Sequence, residues 1–133
     1  MKVFLDTNVL VSAFATRGLS ADLFDLVLIE HEFITGRAVL GELEKALRLK
    51  IKLPATRCAE ILEFVAGEAE FIVEDAPEAD CDADSDDRRV LGEAIAGQAD
   101  AFVTGDAAVA GLERLGAMRI LTPRQFWQSL RAL

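Results

Sequence analysis

With 133 residues, 52% of them hydrophobic, the chain is long enough to bury a core around a sheet and too apolar for extended disorder. Its apolar runs are short, none near the roughly 18 consecutive apolar residues of a membrane span, so no membrane association is expected. Twenty-three acidic against fourteen basic residues give a formal charge of −9, which argues against a long groove that neutralises many phosphates and favours a small, locally engaged nucleic acid or a basic protein partner.

MKVFLDTN opens with an apolar run, KVFL, that ends at Asp6. The acid arrives too soon for a secretory signal, whose apolar region needs about 7 to 15 residues. Strand followed by helix is the natural reading, because DTN supplies capping side chains to VLVSAFA. A second helix is expected over 21–30 with Ser20 as N-cap, then a strand at EFIT. Residues 37–49 place Val39, Leu40, Leu43 and Leu47 on one helical stripe. Pro54 punctuates, and 55–66 reads as a further amphipathic helix with Thr56 as a cap.

EFIV at 70–73 is a third strand, after which EDAPEADCDADSDD holds almost no large apolar side chain and reads as a loop. Asp86 or Asp87 can start the next helix, over VLGEAIAGQA, since acids favour a helix N-terminus. AFVTGD repeats the strand, small-residue turn and acid of KVFLDTN. VAGLERL is expected as a short helix, MRIL as a fifth strand, and TPRQFWQSLRAL as a last helix with Thr122 as N-cap and Pro123 in its first position. Short apolar strands alternating with helices predict an α/β fold, a doubly wound parallel sheet of about five strands flanked by helices, in a single domain over 1–133. Cys58 and Cys81 lack metal-ligand spacing and are expected to be reduced thiols of a cytoplasmic protein.

In such sheets ligands bind beyond the carboxyl ends of the strands, near the point where strand order reverses. Asp6 and Asp106 follow strands, Asp87 opens the helix leading to the second of them, and Glu42 lies one turn into its helix. Carboxylates converging from separate segments make a site for Mg²⁺ or Mn²⁺, because hard cations take oxygen ligands. Such a cation holds a scissile phosphate and lowers the pKa of a bound water. Ser12, Thr7 and Cys81 have no histidine neighbour, and His31 is the only histidine, so a covalent nucleophile is not indicated. Asp86 and Asp87 face directions about 100° apart on a helix, so only one of them can aim squarely at the pocket and the other serves as a cap or outer acid, while Asp80, Asp82 and Asp84 read as loop solubilisers. Lys45, Arg48, Lys50 and Lys52 form a basic cluster close to Glu42, either charges on a wet helix end or a phosphate-guiding rim. Arg17, Arg88 and Arg89 are weaker candidates for the rim, and Phe126 and Trp127 read as core or interface residues.

Taken together, FLDTNVLVSA, VLGELEKAL and DADSDDRRVLGEAIAGQADAFVTGDAAV resemble the PIN-domain ribonucleases, including the VapC-like toxin components of toxin–antitoxin systems. The resemblance covers nearly the whole chain. It implies a Rossmann-like PIN fold and an acidic pocket in which Asp6, Glu42, Asp87 and Asp106 bind Mg²⁺ or Mn²⁺, with Asn8 and Thr104 orienting those carboxylates. It further implies cleavage of single-stranded or structured RNA to 5′-phosphate and 3′-hydroxyl ends, a homodimer, and an antitoxin protein whose arginine or lysine neutralises the pocket. Lys45, Arg48 and Lys50 are then candidate RNA contacts.

Two other phosphate-handling classes fit less well. FLDTN resembles the start of haloacid-dehalogenase-type phosphatases, but Asn8 stands where their second aspartate is needed. A phosphate-receiver domain wants a lysine after its last strand, and MRILTP offers none. The non-enzymatic alternative is a PIN domain that serves only as an interaction module.

Overall fold

The KVFL run forms strand β1 (Lys2–Leu5), in which Val3, Phe4 and Leu5 are fully buried, as a parallel strand covered on both faces requires. The computed structural model describes residues 1–131. Within them the remaining strands are β2 (Glu32–Gly36), β3 (Ile72–Val73), β4 (Ala101–Val103), β5 (Arg114–Leu115) and β6 (Met118–Leu121). The sheet runs in the order β3-β2-β1-β4-β6-β5. β1 pairs in parallel with β2 on one side and β4 on the other, so strand order reverses between β1 and β4. Phe4 lies in register with Phe102, and their rings stack 5.7 Å apart on one face of the sheet.

Seven helices flank this sheet among the described residues: α1 (Thr7–Ala15), α2 (Leu19–Glu30), α3 (Arg37–Leu49), α4 (Ala55–Glu68), α5 (Ser85–Ala96), α6 (Ala107–Ala110) and α7 (Pro123–Arg131). In α3 the predicted stripe is the packed one: Val39, Leu43 and Leu47 are fully buried and Leu40 is half-buried. The start of α7 is a reciprocal cap, in which Gln125 N donates to Thr122 Oγ1 at 3.1 Å and Thr122 N donates to Gln125 Oε1 at 2.9 Å. None of the helices is long and apolar enough to cross a membrane among the described residues.

Several expectations are corrected. The five expected strands are present and parallel, as β1, β2, β3, β4 and β6, and the sheet gains an unforeseen antiparallel edge strand, β5, in which Arg114 and Leu115 pair with Arg119 and Met118. The helix expected over VAGLERL stops at Ala110, because Glu113 takes a left-handed conformation and Gly116 (φ 59°) turns the chain back into a hairpin with β6. Ser20 lies inside α2, whose N-cap is Gly18, and Thr56 lies inside α4, whose N-cap is Pro54. EFIV contributes only Ile72 and Val73 to the sheet. Helix α5 is capped by neither Asp86 nor Asp87 but by Asp84, whose Oδ1 accepts from Asp87 N at 2.9 Å. Ala132 and Leu133, the end of the predicted last helix, lie outside the described residues.

Candidate acidic site

Asp6 follows β1 at the place where strand order reverses, and it is only 7% exposed. Its backbone N–H donates to Val103 O at 2.9 Å, tying it to the neighbouring strand. Its side chain is held on both oxygens: Thr7 N donates to Oδ1 at 2.8 Å, and Thr104 Oγ1 donates to Oδ2 at 2.7 Å. Asn8 Nδ2 adds a longer donation to Oδ2 at 3.4 Å. Burial pushes the Asp6 carboxyl above its ordinary range; the Thr104 and Thr7 donors pull it back, and the Asp106 charge pushes it up again.

Asp106 is brought to Asp6 by the turn after β4. Thr104 Oγ1, while donating to Asp6, accepts from Asp106 N at 3.0 Å, and Asn8 Oδ1 accepts from Gly105 N at 2.8 Å. One side-chain oxygen of Asp106 caps α6, accepting from Ala108 N at 2.8 Å and Val109 N at 3.3 Å. The other is not used in the cap.

Glu42 reaches the same opening from α3 and is half-buried. Its Oε1 accepts from Thr7 Oγ1 at 2.8 Å. Thr7 thus joins two candidate ligands, its amide on Asp6 and its hydroxyl on Glu42. Burial raises the Glu42 carboxyl, the Thr7 bond opposes, and the Asp6 and Asp86 charges raise it further. From α5, Asp87 is pushed up to about 6 by burial and then by the Asp84, Asp6 and Asp106 charges. Asp86 is the more exposed of the pair and acts on Glu42.

Three of the four segments line one depression of about 470 Å³, whose wall includes Glu42, Asp84, Asp86, Asp87, Asp106 and Lys45, while the buried Asp6 is not part of that lining. Asp84, read from sequence as a loop solubiliser, belongs to this wall. Among the described residues no three His, Cys, Asp or Glu side chains form a ready-made ligand cluster.

The basic candidates divide. Lys45 lines the acidic depression and also an adjoining groove shared with Thr7, Glu42, Leu49 and Lys50. Arg48 instead donates to Glu44 at 2.8 Å, and Arg88 faces Glu78 at 3.7 Å. Arg89 lines the depression. His31 sits at the opposite end of the sheet, its Nδ1 3.4 Å from the N-terminal amine. A larger depression of about 620 Å³, beside Leu19, Arg124, Trp127 and Arg131, holds no carboxylate. Chemistry therefore favours the smaller one.

A sequence-family model described as the PIN domain matches residues 2–108. The chain belongs to the PIN-domain family. Among solved structures it is similar to a chain of the crystal structure of VapBC2 from Rickettsia felis bound to a DNA fragment from its promoter, with a TM-score of 0.67, 17% identity, and coverage of 92% of this chain and 98% of that one. That likeness shows the fold. No curated protein matches the chain. Within this PIN domain the donor set, oxygen from carboxylates, suits a hard divalent cation, which would offset both the burial that chiefly raises Asp6, Glu42 and Asp87 and the repulsion among neighbouring acids that adds to it.

Two parts of the site escaped sequence reasoning. Thr7 is legible only as a member of DTN, with nothing local to link it to Glu42. Glu93, in α5, is only 4% exposed, and its Oε2 accepts from Ala38 N at 2.8 Å. The available signal was an acid within an otherwise apolar helix face, together with a helix, α3, that begins after a glycine without a capping side chain.

Proposed function

We propose that this PIN domain is a Mg²⁺- or Mn²⁺-dependent endoribonuclease that hydrolyses phosphodiester bonds of single-stranded or structured RNA, with Asp6, Glu42, Asp87 and Asp106 holding the cation. The observation that carries the reading is the meeting of Asp6 and Asp106 at the strand-order reversal, joined through Thr104, with Glu42 and Asp87 facing them. When bound, the cation would supply charge stabilisation to the phosphate and lower the pKa of water. Asn8 and Thr104 hold Asp6, Thr7 holds Glu42, and Asp86 stands as an outer acid. Lys45 at the mouth and Lys50 in the adjoining groove meet RNA phosphates; Arg48, engaged with Glu44, is the weakest of the three candidates.

The test is cleavage of an end-labelled single-stranded RNA with added Mn²⁺ by the wild type, Asp6→Asn and Asp106→Asn, each shown folded by circular dichroism. Loss of cleavage in both variants is expected. Undiminished cleavage in both overturns the site.

The reading extends to a toxin acting in the cytoplasm as a homodimer and restrained by an antitoxin. An opening walled by carboxylates on a chain of charge −9 favours a partner that inserts an arginine or lysine. Residues 1–133 are read as one PIN domain, since β6, beyond the matched segment, pairs directly with β4. Co-purification of an inhibitory basic partner, and loss of inhibition on its removal, tests the toxin role.

A further inference from the structure

Helix α3, which carries Glu42, starts without a cap of its own. Its N-cap residue, Gly36, is the last residue of β2 and has no side chain to accept from the first-turn N–H groups. Those groups are met from another helix: Glu93 of α5 accepts from Ala38 N at 2.8 Å through Oε2 and from Val39 N at 3.4 Å through Oε1. A Cβ added at Gly36 would lie 2.2 Å from Glu93 Oε1 and 2.7 Å from Oε2, so any side chain at this position would have to displace the Glu93 carboxylate from its place over the helix end. No lysine or arginine pairs with Glu93 among the described ion pairs; the buried carboxylate relies on the helix N-terminus.

The placement has a geometric consequence. Glu42 lies three and four residues after Val39 and Ala38, on the same face of α3 one turn along. On α5, Glu93 lies seven residues after Asp86, on one face, and six after Asp87. The same carboxylate therefore fastens the helix carrying Glu42 to the helix carrying Asp86 and Asp87. We propose that Glu93 is a positioning residue of the acidic site, fixing Glu42 relative to the α5 acids by capping α3 across the helix interface. This rests on the reading of Glu42 as a cation ligand.

The experiment is a double-mutant cycle read as Mn²⁺ affinity by calorimetry on protein verified as folded, using Glu93→Gln, Glu42→Gln and the pair. Glu93→Gln alone should weaken Mn²⁺ binding by about tenfold, the lower end for groups that orient metal ligands. In the Glu42→Gln background it should add less than about twofold, because the ligand it positions is gone. Equal weakening in both backgrounds, or none in the first, overturns the proposal. If Glu42→Gln itself leaves Mn²⁺ affinity unchanged, the ligand assignment falls, and this inference with it. Should Glu93→Gln fail to fold, the wild type carries the test: Mn²⁺ should slow hydrogen exchange at the Ala38 and Val39 amides, by linkage, and not in Glu42→Gln. Exchange unchanged by Mn²⁺ in the wild type overturns the coupling.

Discussion

Thr104 binds Asp6 across the junction of β4 and β1: its hydroxyl donates to Asp6 Oδ2 at 2.7 Å while its oxygen accepts from Asp106 N at 3.0 Å. Fully buried, it links the two strand-end acids with a single side chain. Thr104→Val keeps the shape and removes both bonds. It leaves a buried carboxylate oxygen with only the long Asn8 contact and should destabilise the fold by about 1–3 kcal/mol. Without its donor, Asp6 should also hold its proton to higher pH, so cleavage should fall most steeply at the acid end of the pH range. A variant that lost stability with an unaltered pH profile would show Thr104 to be a packing residue alone.

Asp87 makes the cation-free protein sensitive to pH. Its carboxyl is raised from 3.8 to about 6, so between those values the folded state holds a proton that the unfolded state has released. This contribution to stability is complete below 3.8 and is lost as pH rises through about 6; the upward shifts of Asp6 and Glu42 act in the same direction. In chelator, melting temperature should therefore fall less for Asp87→Asn than for the wild type as pH rises across this window. Mn²⁺ should stabilise the wild type more at pH 7 than at pH 5. Parallel melting profiles for the two proteins in chelator would contradict the assignment.

The sequence made Asp6 and Asp106 readable because each follows an apolar run that can only be a buried strand, and the position of a strand's end fixes where its next side chain emerges. The span of α3 was equally readable, since its stripe at Val39, Leu43 and Leu47 keeps one period from end to end. What stayed hidden depends on contacts between distant segments. A short strand such as Arg114–Leu115 carries too few residues for a period, and only pairing with Met118–Arg119 defines it. Asp84 resembles its neighbours in an acidic loop until the start of α5 shows which of them caps the helix. Glu93 looks like a solvated charge because the helix end it serves is more than fifty residues earlier in the chain.

The lysines should separate from Arg48 in their salt dependence. Lys45 and Lys50 line the groove beside Glu42 and have no ion-pair partner among the described residues, whereas Arg48 is held by Glu44. Each phosphate contact on a single strand adds about −0.7 to the slope of log affinity against log salt. With Ca²⁺ replacing the active cation, Lys45→Ala and Lys50→Ala should each flatten that slope by about 0.7, and Arg48→Ala should leave it nearly unchanged. Equal flattening by all three substitutions would point to diffuse attraction instead of a defined path.

Gly92 ties the acidic loop to α5, and its replacement should show how far the site depends on that attachment. A Cβ at Gly92 would lie 2.0 Å from Pro77 O and 3.2 Å from Ala79 N, both backbone atoms. The loop cannot simply swing away, because Ala79 N donates to Arg88 O at 2.9 Å. Gly92→Ala gains helix propensity of about 1 kcal/mol yet should still be net destabilising, since forced overpacking costs about 1–3 kcal/mol and here displaces main chain. Gly67→Ala in α4, where the added carbon meets nothing within 4 Å, should instead stabilise by about 0.5–1 kcal/mol in urea denaturation. The Gly92 effect should also reach the acids: the segment it holds runs on to Asp84, which caps α5 at Asp87. Mn²⁺ affinity should therefore drop in Gly92→Ala and remain at the wild-type value in Gly67→Ala. Equal Mn²⁺ affinities in folded samples of the two variants would mean that the acidic loop can detach without disturbing Asp87.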